Sequence, residues 1–251
     1  MEVHHHPDLH HKKKNFKEYF LEFLMIFLAV TMGFFAENIR EHFVDKTHEQ
    51  QYIHSFYEDL SNDEKELPTL ISSIERQQLQ TADSLHALLP VIDSKTPANT
   101  VYTSLRNIIR QQGVKIFVTD RTMQQIKNSG EMRLISNKQV SDSLVDYYKE
   151  VDFIEYLQET LLTYKSELKK NFSLILKDQD YNKVINSQDQ IINPSENLYL
   201  LSTDPSAVNK ILIEVSDIRG LSKSIQEMIR ELSVKAGNIK KLISDYYNIQ
   251  N

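Results

Sequence analysis

The chain has 251 residues, with 29 Lys and Arg against 35 Asp and Glu and a formal charge of −6. Interspersed signs with a net negative balance lack the basic face that a nucleic-acid partner requires. There is no Cys, which excludes disulfides, thiolate metal sites and cysteine nucleophiles. Only five Gly and six Pro stand among plentiful Leu, Ile, Lys, Glu, Gln and Ser, a mixture that favours long helices over a turn-rich β fold, and the length allows a sizeable core.

The chain opens on MEVHHHPDLHHKKKNFK. His4, His5, His6, His10 and His11 are interrupted by Pro7-Asp8-Leu9, unlike a purification tag. A cluster of neutral imidazoles is a candidate site for a divalent metal. The plainer expectation is a partly cationic tail over residues 1–18 lying near lipid head groups.

Tyr19 to Ala36, YFLEFLMIFLAVTMGFFA, carries a single charged residue, Glu22. As a helix it is about 27 Å long, close to the ~30 Å hydrocarbon core of a bilayer. The preceding lysines can snorkel outward, and Glu22 lies one turn inside, within reach of the interface. A basic start and an apolar run also fit a cleavable signal peptide, but Phe34-Phe35-Ala36 puts bulky residues where a cleavage site needs small ones. The expectation is an uncleaved transmembrane helix over 19–36. Lys12, Lys13, Lys14 and Lys17 precede it, whereas only Arg40 and Lys46 follow closely. The positive-inside rule then places the N-terminus in the cytoplasm and residues 37–251 outside, which is the periplasm in a double-membrane bacterium.

Glu22, Ile26, Ala29, Gly33 and Ala36 recur at steps of three and four and share one stripe of this helix. Ala29 and Gly33 form a small-xxx-small pair that lets helices approach closely in lipid, and a carboxylate is better placed against a partner than against acyl chains. The stripe is a candidate packing face for another copy or for a membrane-protein partner. Glu37, Glu41, Asp45 and His48 mark a second face just beyond the span. It is a candidate cation site or acidic vestibule, although such stripes are more often solvated.

GFFAENIREHF (Gly33 to Phe43), the His- and Lys-rich start and KNSGEMRLI (Lys127 to Ile135) together resemble a family of uncharacterised bacterial membrane proteins, a domain of unknown function. The resemblance covers most of the chain. It implies an inner-membrane helix and a helical remainder, and it carries no activity, cofactor or catalytic residue.

From Glu37 the helix is expected to continue to a stop at Ser61-Asn62-Asp63. A second helix follows from about Glu66 to Leu89, with Pro68 in its first turn and Pro90 at its end. His86 on this helix reads as packed or solvated. A third helix, Thr100 to Gln112, stops at Gly113, and Val114 to Val118 reads as an extended connector. Asp120 caps a short helix ended by Ser129-Gly130. Ser136 and Gln139 suggest a capping box for a helix running from Lys138 to about Lys177. Asp178 to Asp204 is irregular, either a surface loop or a cap on the bundle; its acidic DQDYNKVINSQDQ lacks the Gly and Glu of a Ca²⁺ loop. Asp204-Pro205 opens the last helix. There Val208, Ile211, Val215, Ile218, Ser222, Ile225, Ile229, Leu232, Ala236, Ile239, Ile243 and Tyr246 alternate steps of three and four, a coiled-coil-like seam expected to pack within the chain.

No Gly-rich phosphate loop, HExxH or nucleophile elbow occurs. The expected fold is therefore all-α: one N-terminal transmembrane helix continuing into an elongated antiparallel helical bundle. The expected function is non-catalytic, a membrane-anchored scaffold or accessory subunit, with the lipid bilayer and either itself or another membrane protein as partners. No catalytic residue, cofactor or small-molecule substrate is identified. A periplasmic sensory module that relies on a partner for its signal, and an oligomeric ion pathway lined by Glu22 and the acidic stripe, are the alternatives.

Overall fold

The structure is a computed structural model that describes residues 15–110 and 115–249. The fold is all-α, with no strand among the described residues and one isolated antiparallel bridge between Ile185 and Ile191. The chain divides into two compact units, the first ending at Gln50 and the second beginning at Gln51. The helix α1, Phe16–Ile74, is 59 residues long and belongs to both.

In the first unit α1 is the whole of the described structure. Apart from the half-buried Leu24, its large apolar side chains are open, among them Phe23, Met25, Ile26, Phe27 and Phe34. Among the described residues this is the one helix long and apolar enough to cross a membrane, and none of its apolar stretch is buried. A core helix of a soluble protein would have that stretch covered. Each large apolar side chain left in water instead costs about 1.5–3 kcal/mol.

The second unit is a bundle built on α1, α5 (Lys138–Lys170) and α7 (Pro205–Tyr247). Between them lie α2 (Gln80–Leu88), α3 (Asn99–Ile108), α4 (Arg121–Ser129) and the short α6 (Asp178–Tyr181). Direction follows from the side-chain pairs. Glu64 meets Lys240, Ile71 meets Gln226, and Asp83 meets Arg219, so α7 runs antiparallel to α1 and α2. Glu150 meets Lys235 and Asn171 meets Glu214, so α7 is antiparallel to α5 as well. The expected intrachain seam is thus present, and α7 packs on both candidate partners. Val208 through Ile243 of the seam are buried. Tyr246 is not: it is 53 % exposed, because the helix reaches its left-handed end at Asn248 (φ 54) and Tyr247 is the residue packed against the core there.

Four expected boundaries are corrected. Ser61-Asn62-Asp63 does not stop α1. Asp63 is 1 % exposed, its carboxylate taken up by the bundle, and the Ser61 hydroxyl donates back to the Tyr57 carbonyl (2.7 Å). Pro68 lies inside α1 rather than in a first turn. A proline there costs about 3 kcal/mol, which burial of Leu67 and Ile74 on the same helix offsets. The break comes later, as a π-helical turn at Glu75–Leu79, where the Gln226 amide donates to the Ile71 carbonyl and the Glu75 carboxylate (both 3.1 Å). The cap of α5 is Asn137, whose side chain accepts from the Val140 N–H, not Ser136. Finally α5 has 33 residues and gives way to a 3₁₀ turn at Asn171–Leu174; Phe172 and Ile175 are buried beyond its end.

The irregular segment 182–204 is a cap, not a free loop. Leu198 and Leu200 are buried. The Leu198 carbonyl accepts from the Ala98 N–H (2.7 Å), the Asn99 side chain binds the backbone of Glu196 and Leu198, and the Tyr102 hydroxyl donates to the Tyr199 carbonyl (3.1 Å). Asp180 of the acidic run is buried and paired with Lys183 at 2.9 Å.

Candidate functional site

Two features of the molecule are candidates for function, one on each unit. On the first, Glu22, Ile26, Ala29, Gly33 and Ala36 are all exposed, and nothing lies within 4 Å of a Cβ placed at Gly33. Another stripe overlaps this one. Met25, Ala29, Met32, Ala36, Ile39 and Phe43 follow at alternating steps of four and three, the spacing of a helix–helix seam. Its large members are strongly exposed, Met25 at 71 %, Met32 at 69 %, Ile39 at 57 % and Phe43 at 65 %. Phe43 lies seven residues past Ala36, about 10 Å along the axis.

On the side of the helix away from this seam, Glu37, Glu41 and Asp45 are exposed and His48 is half-buried. Arg40 clasps Glu37 through two bonds, Nη2 to Oε1 at 2.5 Å and Nε to Oε2 at 3.0 Å. That pairing holds the Glu37 carboxyl below its ordinary range and neutralises one member of the acidic stripe. Among the described residues no three His, Asp or Glu side chains form a group that could hold a metal ion. His4, His5, His6, His10 and His11 lie outside the described residues.

On the second unit the Arg110 carbonyl and residues 116–122 are fastened by buried polar side chains. Residues 140, 144, 147, 151, 154, 158, 161, 165 and 168 form the buried face of α5, and two of these positions are Gln158 and Lys165. Gln158 Oε1 accepts from the Ile116 N–H at 2.9 Å, and Lys165 Nζ donates to the Arg110 carbonyl at 2.8 Å. From α1, Asp63 accepts from the Thr119 N–H (2.8 Å) and from the Tyr147 hydroxyl (2.7 Å). Asp59, fully buried, accepts from the Thr122 N–H (3.2 Å) and hydroxyl (2.5 Å), with Arg121 Nη2 at 3.4 Å. The Tyr148 hydroxyl donates to the Thr119 carbonyl at 2.9 Å.

Burial dominates the acid–base behaviour of this clasp. It raises the Asp63 carboxyl, against the bonds from Thr119 and Tyr147 that favour the anion. It pushes both tyrosine hydroxyls well above their usual range. It also lowers the Lys165 ammonium to about 7. Such an arrangement holds residues 116–122 against the bundle; each polar side chain is spent on a backbone group or a neighbour. The signal in the sequence was register: Asp63 falls in the apolar stripe between Leu60 and Leu67, and Gln158 and Lys165 fall in the stripe of α5.

Compared with known proteins, the chain matches no protein-family model, no curated protein and no solved structure.

Proposed function

We propose that the protein is a non-catalytic scaffold or accessory subunit of a bacterial inner membrane, of the uncharacterised family that its start and Lys127–Ile135 resemble. In this reading α1 crosses the bilayer once with its N-terminus in the cytoplasm, and the helical bundle stands in the periplasm. It acts through association of α1 with a second copy or with another membrane protein. The observation that supports this most is the seam of Met25, Ala29, Met32, Ala36, Ile39 and Phe43. Lipid covers Met25 and Met32, but Ile39 and Phe43 lie beyond the expected span and remain more than half exposed. Exposed apolar side chains in line with a small-residue membrane face are the mark of a helix that expects a partner.

The absence of cysteine makes the test direct. Single cysteines are placed at Ile39 or Phe43 on the seam, and at Glu41 on the far side of the helix, and membranes are oxidised. Dimers crosslinked from the seam positions but not from Glu41 support self-association. Mass measurement of the uncrosslinked protein in detergent separates a second copy from a different subunit. A monomer in both experiments overturns the reading. A reporter fused after Tyr247 tests orientation, since cytoplasmic activity there reverses the assigned topology.

A further inference from the structure

Where α3 meets the end of α5 and the turn after α6, Arg106, Arg110, Lys169 and Tyr181 border a cavity of about 220 Å³. Three cationic residues and one acidic residue, Asp189, border it together, and the remaining wall is made by Ile109, Ile185 and Ile191. Arg110 donates through Nη2 to the Asp189 carbonyl at 3.3 Å, which ties the turn to α3. The Arg106 guanidinium lies over the Tyr181 ring, 4.1 Å from its centroid. Phe172 meets the same ring edge-on, with centroids 5.8 Å apart, so both the phenol and the guanidinium are held in place before anything binds.

These groups are not used up by the fold. Among the described residues neither the Arg106 nor the Lys169 side chain makes an ion pair or hydrogen bond, while the Tyr181 hydroxyl is buried away from the cavity. A stacked guanidinium keeps its N–H edge free for a planar anion. We infer that this cavity binds a short-chain organic carboxylate, its head group received by Arg106 and Lys169, with the Tyr181 ring holding Arg106 in place, and its aliphatic body lying on the isoleucines. The cavity is too small for a nucleotide or a peptide, and the apolar wall suits a carbon chain better than an inorganic ion. The Asp189 carboxylate sets a limit on affinity and favours an anion whose charge is confined to the arginine side.

Full-length protein in detergent is titrated calorimetrically with butyrate, succinate, inorganic phosphate and, as the uncharged control, butyramide. Saturable binding of butyrate or succinate, with none of butyramide, is expected. Arg106→Gln weakens it by about tenfold or more, the value of one charge-assisted bond. Tyr181→Leu removes the ring that holds Arg106 and weakens binding severalfold. Lys169→Gln, on an exposed turn of α5, serves as the second binding variant should Arg106→Gln fail to fold. No carboxylate binding, phosphate bound more tightly than either carboxylate, or affinities unchanged in the folded variants would overturn the inference.

Discussion

Asp63, Gln158 and Lys165 show how a few side chains decide what a long helix does. Each sits where the surrounding stripe is apolar, and each is buried because it holds the Arg110 carbonyl or a backbone group of residues 116–122. For Lys165 the consequence is a pH dependence of defined sign. Its ammonium titrates at about 7 in the folded protein against an ordinary 10.5, so between these values the unfolded chain binds a proton that the native chain does not. Stability therefore rises from about pH 7 to about pH 10.5, at up to about 1.4 kcal/mol per pH unit, and this contribution is lost as pH falls through 7. In Lys165→Met that rise should disappear from denaturant midpoints measured across the window; a slope that persists would assign it to other groups. Asp59 tests the other end of the clasp. Asp59→Ala leaves the Thr122 N–H and hydroxyl without their acceptor and should destabilise the protein by about 3 kcal/mol. Sequence reasoning passes over these positions, taking Asp63 as part of a helix stop; register is the one signal that marks them, and their partners leave none, because Thr119 and Ile116 contribute backbone N–H groups that any residue carries.

Among the helices, α7 was the most legible, because an uninterrupted alternation of three and four leaves one face to bury. Ile229 is fully buried in it, and Ile229→Ala should cost about 3 kcal/mol. Gly220 lies off the seam with nothing within 4 Å of an added Cβ, so Gly220→Ala should stabilise by up to about 1 kcal/mol in the same denaturant series. A loss there would show that the outer face of α7 is covered in solution. Helix ends were less legible than helix faces. Ser61-Asn62-Asp63 carries the composition of a stop, and Pro68 the appearance of a start, yet both lie within α1. Local preferences worth about 1–3 kcal/mol yield when tertiary packing rewards continuity. The seam position given to Tyr246 failed for a related reason, since the period of a helix says nothing about where its last turn departs.

The division at Gln50 and Gln51 separates a stretch that water does not tolerate from a unit with its own core. Ile53, Phe56, Leu60, Tyr102, Tyr147 and the α7 seam are buried by one another, and none of that burial draws on the apolar run from Tyr19 to Ala36, which stays open. A chain beginning at Thr47, which keeps one turn of α1 ahead of Tyr52, should therefore be soluble without detergent and unfold in one cooperative helical transition. If association resides in the seam of Met25 to Phe43, this shortened chain should sediment as a monomer while the full-length protein in detergent does not. Association that survives the shortening would move the interface onto the bundle, and the exposed pair Phe153 and Tyr156 on α5, stacked with centroids 6.3 Å apart, would be the first place to look. Ligand binding gives an independent check on the same chain: the carboxylate cavity lies wholly within the second unit, so butyrate or succinate should bind the shortened and full-length proteins alike. Retained binding with lost association would assign tethering and assembly to the first unit and recognition to the second.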